Sequence, residues 1–362
     1  MQIPAKESCC AVIMAGGSGT RFWPRSRANR PKQLLNITGD EILLKKAVEL
    51  IKPLTSLGRI KIVTTRSQAA AIPQIMPEIP ERSIIAEPFG RNTAPAIGIS
   101  ALYLEQEYPD CTMAVLPADH HIQEHEVFLQ TIQAAVDKAS QVDCIVTIGI
   151  SPRGPETGYG YIEAGTMLDE QSGVYQVQSF HEKPDVQTAM KFIAKGTFFW
   201  NSGIFIVKAS VMLNEIAVHL PRIYELLMDI REALGTDEEQ TVIEEAYGKM
   251  EAISIDYGVI EKSRHVLMVE GSFGWDDVGS WPSAAQRWPH DKENNAYLGE
   301  VIVFDSSGCI VHSQKKPVVL LGVKNLVIVE EDDVLLVCNH DRSQDVKKLV
   351  EILRAQGRDD IL

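Results

Sequence analysis

Residues Cys10–Gln33 read CAVIMAGGSGTRFWPRSRANRPKQ, and this stretch decides the fold. Ala11–Met14 is a short apolar run, the pattern of a buried strand. The turn after it, Gly16-Gly17-Ser18-Gly19-Thr20, is followed by Arg21, Arg25, Arg27, Arg30 and Lys32. Glycines let successive backbone N–H groups face one concavity, which suits phosphate oxygens. Cations close behind suit a polyanion better than a single carboxylate. A Walker loop must end Gly-Lys-Ser/Thr, and this one ends Gly19-Thr20-Arg21. A dinucleotide fingerprint starting at Gly17 meets Phe22 where its third glycine belongs, which spoils close packing of helix on strand. A nucleoside triphosphate cradle with Arg21 and Lys32 as phosphate ligands meets neither objection. An ordinary strand-to-helix turn with solvated arginines stays open beside it.

Outward from the turn, Glu41–Ile51 has helical spacing and Ile60–Thr64 reads as the next strand. The βαβ alternation implies a mainly parallel sheet covered by helices, with ligands beyond the carboxyl ends of the strands. Strand Ile84–Ala86 leads into Glu87-Pro88-Phe89-Gly90-Arg91-Asn92-Thr93-Ala94-Pro95-Ala96, where Asn92 or Thr93 can cap a helix running to Glu107. Strand Cys111–Leu116 ends in Pro117-Ala118-Asp119-His120. An Asp at such a tip can hold Mg²⁺ between phosphates, or merely cap the next helix. His121–His125 matches H-x-x-E-H, a zinc-protease pattern that needs both histidines on one helical face and a third ligand. A metal-free first helical turn is the better expectation there.

Helix Val127–Ser140 and strand Cys144–Gly149 follow, and then Thr157-Gly158-Tyr159-Gly160-Tyr161-Ile162-Glu163. Gly158 and Gly160 allow close approach of a ligand, or kink an edge strand. Val174–Ser179 runs into Phe180-His181-Glu182-Lys183-Pro184, and Phe199–Phe205 reads FWNSGIF. Asn201 can both donate to and accept from vicinal hydroxyls. Ala209–Met250 is acidic and mostly helical. Gly274–Trp281 reads GWDDVGSW, and its adjacent carboxylates repel unless a cation or solvent intervenes. After His290 the texture changes to short strands at Val301–Asp305, Cys309–His312, Pro317–Leu321, Leu326–Glu330 and Val334–Cys338, closed by a helix at Ser343–Ala355. A boundary is therefore expected between residues 1–290 and an all-β module at 291–362.

The 362 residues carry a net charge of −14, which argues against a general nucleic-acid binder. A basic cluster inside an acidic chain points to a specific anionic ligand. No apolar run approaches the roughly 20 residues of a membrane span, and no charged-then-apolar leader opens the chain. Six scattered cysteines without CxxC spacing suit a reducing cytoplasm.

GGSGTRFWP with Arg30-Pro31-Lys32-Gln33, the Glu87–Ala96 loop, FHEKP, WNSG, SIDY at Ser254–Tyr257 and GWDDVG resemble, in that order, the sugar-1-phosphate nucleotidylyltransferase family. Phe22-Trp23-Pro24 is most similar to its mannose-1-phosphate guanylyltransferase branch. The resemblance implies a Rossmann-like α/β domain with a small left-handed β-helical tail, and transfer of GMP from GTP to mannose 1-phosphate. It implies that Ala15–Arg21, Glu87, Arg91–Ala94 and Asp119 bind the nucleotide, and that Gly158–Gly160, Glu182, Lys183, Asn201 and Asp256 bind the sugar phosphate. It implies catalytic roles for Arg21, Lys32, Lys183, Asp119 and Asp277, with Mg²⁺ on Asp119 and Asp277. A soluble homodimer with no membrane or nucleic-acid partner is the matching expectation. Another sugar 1-phosphate or base, or a silent nucleotide-sensing relative, stays open.

Overall fold

The computed structural model describes residues 9–17, 19–39, 41–170 and 173–362. Its two compact units do not follow chain order. Among the described residues, one holds the chain from Cys9 to Gly16, Ala47–Ala118 and Ile122–Trp275; the other holds Gly17–Lys46, Asp119–His121 and Asp276–Leu362. The boundary expected at 290 follows the change of texture along the chain. Compactness instead groups the glycine turn and both acidic tips with the C-terminal strands.

The first unit is built on a nine-stranded sheet. Its strands are β1 (Cys10–Met14), β2 (Ile60–Thr65), β3 (Ile84–Glu87), β4 (Thr112–Pro117), β5 (Ile145–Ile150), β6 (Tyr161–Asp169), β7 (Val174–His181), β8 (Phe198–Lys208) and β9 (Val266–Gly271). The order is β3-β2-β1-β4-β8-β5-β9-β7-β6. The first four are parallel, as are β5 and β9, while β8 runs against β4 and β5 and β7 runs against β9 and β6. The sheet is thus mainly parallel, with β7 and β8 reversed. Val12 and Ile13 of β1 are wholly buried, as a central parallel strand covered on both faces requires.

Helix α1 (Thr93–Glu107) is apolar nearly all round because it lies between the sheet and two further helices, α3 (Ala209–His219) and α4 (Pro221–Ala233). Helix α2 is His125–Gln141 and α5 is Glu239–Lys249. The β5–β8 ladder shifts register between Thr147 and Gly149, opposite the WNSG residues. There Gly203 takes φ +71° and its N–H donates to Asn201 Oδ1, so the motif is an irregular stretch of strand and not a plain one.

In the second unit β10 (Ala296–Leu298), β12 (Ile310–His312) and β14 (Leu326–Glu330) stack in parallel, and β11 (Val301–Phe304) pairs in parallel with β13 (Val318–Leu321). Strand β15 (Leu335–Asn339) closes antiparallel on β14. Parallel pairing without crossover helices makes each strand meet the one a coil later, which is the pattern of a β-helix. Cys309, Val311, Leu320 and Ile328 fill its inside. A second core joins Phe22, Trp23, Trp281 and Trp288 to Ile310, Val327 and Leu336 of these strands, and to Val346 and Val350 of helix α6 (Val346–Ala355). Among the described residues no helix is long and apolar enough to cross a membrane.

Candidate active site

In the second unit the glycine turn is shaped by contact with Lys32. Gly19 has φ +60°, and a Cβ there would stand 2.2 Å from Lys32 Cβ, so only glycine fits. Ser26 Oγ donates to Gly19 O at 2.8 Å and Gln33 Nε2 to Gly17 O at 3.0 Å, fixing the turn from behind. Ser18 lies outside the described residues. Lys32 is buried, donates 2.7 Å to Asp119 Oδ2 and 2.8 Å to the Asp277 carbonyl, and stands 5.5 Å above the Phe22 ring. Burial would raise the Asp119 pKa, but the Lys32 ammonium and His120 hold it below the usual carboxylate value.

These groups line one pocket of about 350 Å³ with Thr20, Arg21, His120 and Lys347. Sequence reasoning gave His120 no role although it stands beside Asp119 at the strand tip, and it missed Lys347, which falls in no recognisable motif. Asp276 plays a different part from its neighbour. Its carboxylate accepts from Val278 N–H at 2.6 Å and Ser283 Oγ at 2.7 Å, and pairs with Arg287 at 3.3 Å. Val278 is thereby held at φ +48°, a conformation costing a β-branched residue about 1–3 kcal/mol, with its side chain wholly buried. The tip so constrained leaves Asp277 on the pocket.

The basic cluster needs correction. Arg25 is 2 % exposed, pairs with Glu331 at 3.0 Å, donates to Asn36 Oδ1 and bonds the His312 ring. Arg27 binds Asp333 at 2.7 Å and the Ile361 carbonyl. Both arginines fasten the turn segment to the β-helical strands and tail, and do not face the polyanion pocket. The Trp23 indole likewise donates to Ile361 O at 2.8 Å, and Phe22 meets Trp281 edge to face at 5.1 Å. The Phe22-Trp23-Pro24 signature is therefore core.

The first unit holds the remaining residues in two groups. Around Glu87, the carboxylate is 3 % exposed, its Oε1 has no partner, and its Oε2 lies 3.5 Å from where Gly16 would carry a Cβ. Burial raises its pKa to about 7, only partly offset by the Tyr247 hydroxyl. Arg91 stacks on Phe89 at 4.9 Å and donates to the Tyr247 and Gly248 carbonyls, so it holds the loop. Asn92 caps α1 through Thr93 N–H, Thr93 Oγ1 accepts from Ile255 N–H, and Ala94 N–H donates to Ile253 O. The Ala15 N–H and carbonyl are both engaged, by Val63 O and Thr64 Oγ1, so Ala15 prolongs β1.

The second group gathers Gly160, Glu182, Lys183, Asn201 and Asp256. A Cβ on Gly160 would stand 2.5 Å from Glu182 Oε2, which is buried without a partner, while Oε1 accepts from Lys183 Nζ at 2.6 Å. Burial works against the Lys183 ammonium, but Glu182 and Asp256 outweigh it and hold the pKa above its usual value. Asn201 Oδ1 accepts from Thr147 Oγ1 and Gly203 N–H, and Nδ2 donates 2.9 Å to Asp256 Oδ1. Its acceptor capacity is thus filled, and it orients Asp256. Burial, then the Glu182 charge, raises Asp256 to about 6. Tyr159 lies edge-on between Trp200 and Trp275, at 5.2 and 5.1 Å, whereas Gly158 is exposed with open space around it.

The H-x-x-E-H pattern is divided between elements: His121 opens a two-residue strand and His125 opens α2. Its histidines do not share a helical face. Among the described residues no group of three His, Cys, Asp or Glu side chains could hold a metal.

A profile of nucleotidyl transferases matches residues 10–293, and one of the MannoseP isomerase/GMP-like beta-helix domain matches residues 299–353. The chain is 39% identical to the alginate biosynthesis protein AlgA of Pseudomonas aeruginosa over 354 residues, 96% of this chain and 72% of that one. It is 38% identical to a mannose-1-phosphate guanylyltransferase of Klebsiella pneumoniae, covering 96% of this chain and 74% of the relative. A crystal structure described as mannose-1-phosphate geranyltransferase from Thermus thermophilus superposes with TM-score 0.85 at 33% identity, covering 96% and 99% of the two chains.

Proposed function

Because the chain belongs to the nucleotidyl transferase family, we propose that it transfers GMP from GTP to α-D-mannose 1-phosphate, releasing pyrophosphate. One observation carries this reading: Gly19 and Thr20 of the glycine turn, Arg21, Lys32 and two carboxylates line a single pocket of polyphosphate size. A sugar phosphate oxygen attacks the α-phosphorus, the bond to the bridging oxygen of the β-phosphate breaks, and pyrophosphate leaves. The second pKa of a phosphate monoester is about 6, so the nucleophile arrives ionised and needs no protein base. Catalysis is then positioning and charge neutralisation.

Arg21 and Lys32 stabilise charge on the α-phosphate and the departing group. Lys183 steadies the attacking phosphate, and Glu182 with the Asn201-oriented Asp256 accepts sugar hydroxyls. The Asp119 and Asp277 carboxylates offer hard oxygen donors, as Mg²⁺ held by one or two carboxylates plus phosphates requires. When bound there it would neutralise phosphate charge. The unpaired Glu87 oxygen is an acceptor for guanine's N1–H and amino group, a donor pair that adenine lacks. The working form is a homodimer in the cytoplasm.

The test is pyrophosphate release across a matrix of nucleoside triphosphates and sugar 1-phosphates. GTP with mannose 1-phosphate should be best, and inosine triphosphate, lacking only the amino group, should fall between GTP and ATP. Preference for ATP or UTP would overturn the guanylyl assignment, and no release with any pair would overturn the transferase.

A further inference from the structure

The cations of the polyphosphate pocket are unequal. Lys32 is neutralised by Asp119 at 2.7 Å. Arg21 and Lys347 are exposed, and their side chains make no hydrogen bond or ion pair among the described residues. Lys347 is the second residue of α6, more than three hundred positions from the glycine turn. It reaches the pocket because Val346 and Val350, one helical turn apart, are buried in the same core as Phe22. The neighbouring Lys348 instead pairs with Asp345 at 2.8 Å, as does Arg342. Of the basic residues on and before this helix, Lys347 is thus the one aimed into the pocket with its charge uncompensated. A triphosphate or pyrophosphate carries three or four negative charges, more than Arg21 and an already paired Lys32 balance.

We propose that Lys347 binds the polyphosphate of the transferase site, touching the nucleoside triphosphate before transfer and pyrophosphate after it. The inference rests on the transferase reading above. It gives the β-helical part of the chain a direct share in substrate binding: the strands and α6 present a cation to the glycine turn.

The test is calorimetric titration of the full chain with Mg-pyrophosphate and with Mg-GTP, alongside initial rates. Lys347→Ala should weaken binding of both roughly tenfold, the scale of a hydrogen bond to a charged group. Lys347→Arg should restore most of it, and Lys348→Ala should leave it unchanged. The KM for mannose 1-phosphate and the melting temperature should not move in Lys347→Ala, since the side chain is exposed and has no partner among the described residues. Wild-type affinity for pyrophosphate and GTP in Lys347→Ala overturns the proposal while the transferase reading stands. Absence of any affinity in the unmutated chain overturns both.

Discussion

Glu87 combines deep burial, an unpartnered oxygen and a pKa raised to about 7. For an acid with a raised folded-state pKa, the stabilising contribution is complete below its ordinary value and is lost as pH climbs. Glu87 therefore favours the apo fold below about pH 4.5, and that support fades as pH rises through about 7. Guanine favours the opposite state, because an ionised carboxylate accepts from its N–H donors more strongly than the neutral acid does. GTP affinity should rise between pH 6 and pH 8, by up to about tenfold from this one group. GTP's own phosphate ionisation contributes equally to a Glu87→Gln variant, so the comparison isolates the residue. Binding titrations at both pH values should show the advantage of wild type over Glu87→Gln growing with pH. Parallel pH dependences would detach Glu87 from base recognition.

At the scale of elements, the segment from Gly19 to Arg30 is held from the C-terminal side. Trp23 and Arg27 bond the Ile361 carbonyl, Ala28 N–H donates to Leu362 O at 3.4 Å, and Ile361 is 7 % exposed in the Trp23 core. Removing residues 359–362 strips that contact, worth about 2 kcal/mol for the buried Ile side chain alone. The shortened chain should melt several degrees lower, and its KM for GTP should rise severalfold while that for mannose 1-phosphate stays. A calorimetric scan together with two substrate curves checks this. An unchanged melting curve would show that the tail does not clamp the turn. In the sequence Arg25 and Arg27 look like Arg21, and nothing local separates a phosphate ligand from an anchor. The difference lies in Glu331, Asp333 and His312, some three hundred residues away.

For the whole molecule, the outer face of β11 and β13 bears on assembly. Ile302 stands across from Val319 and Phe304 across from Leu321, and these four are 54%, 64%, 69% and 69% exposed. Val303 and Leu320 meanwhile face the inner core, so both faces of this two-stranded sheet are apolar. Contiguous exposed apolar surface of this kind marks an interaction site, and a second copy of the chain is the partner in our reading. Light scattering over a concentration series should give a dimer. Phe304→Glu with Leu321→Glu should give a monomer that keeps its fold. A monomeric wild type would end the proposal, and an intact dimer in the double variant would move the interface elsewhere.

Much of this was legible in the chain itself. The strand-turn-helix alternation, the Asn92 cap, the acidic strand tip at Asp119 and the change of texture after residue 290 depend on neighbours within a few residues, where periodicity and capping act. The tertiary structure alone decided what each polar group faces. Contact divided the molecule discontinuously and gave Phe22 and Trp23 to a core completed by the C-terminal strands. It engaged the Asn201 oxygen and set its amide against Asp256, and brought Lys347 to the pocket of the glycine turn. A charge or an amide has the same local signature whatever it meets. Its role is set by the burial and partners that packing supplies from distant parts of the chain.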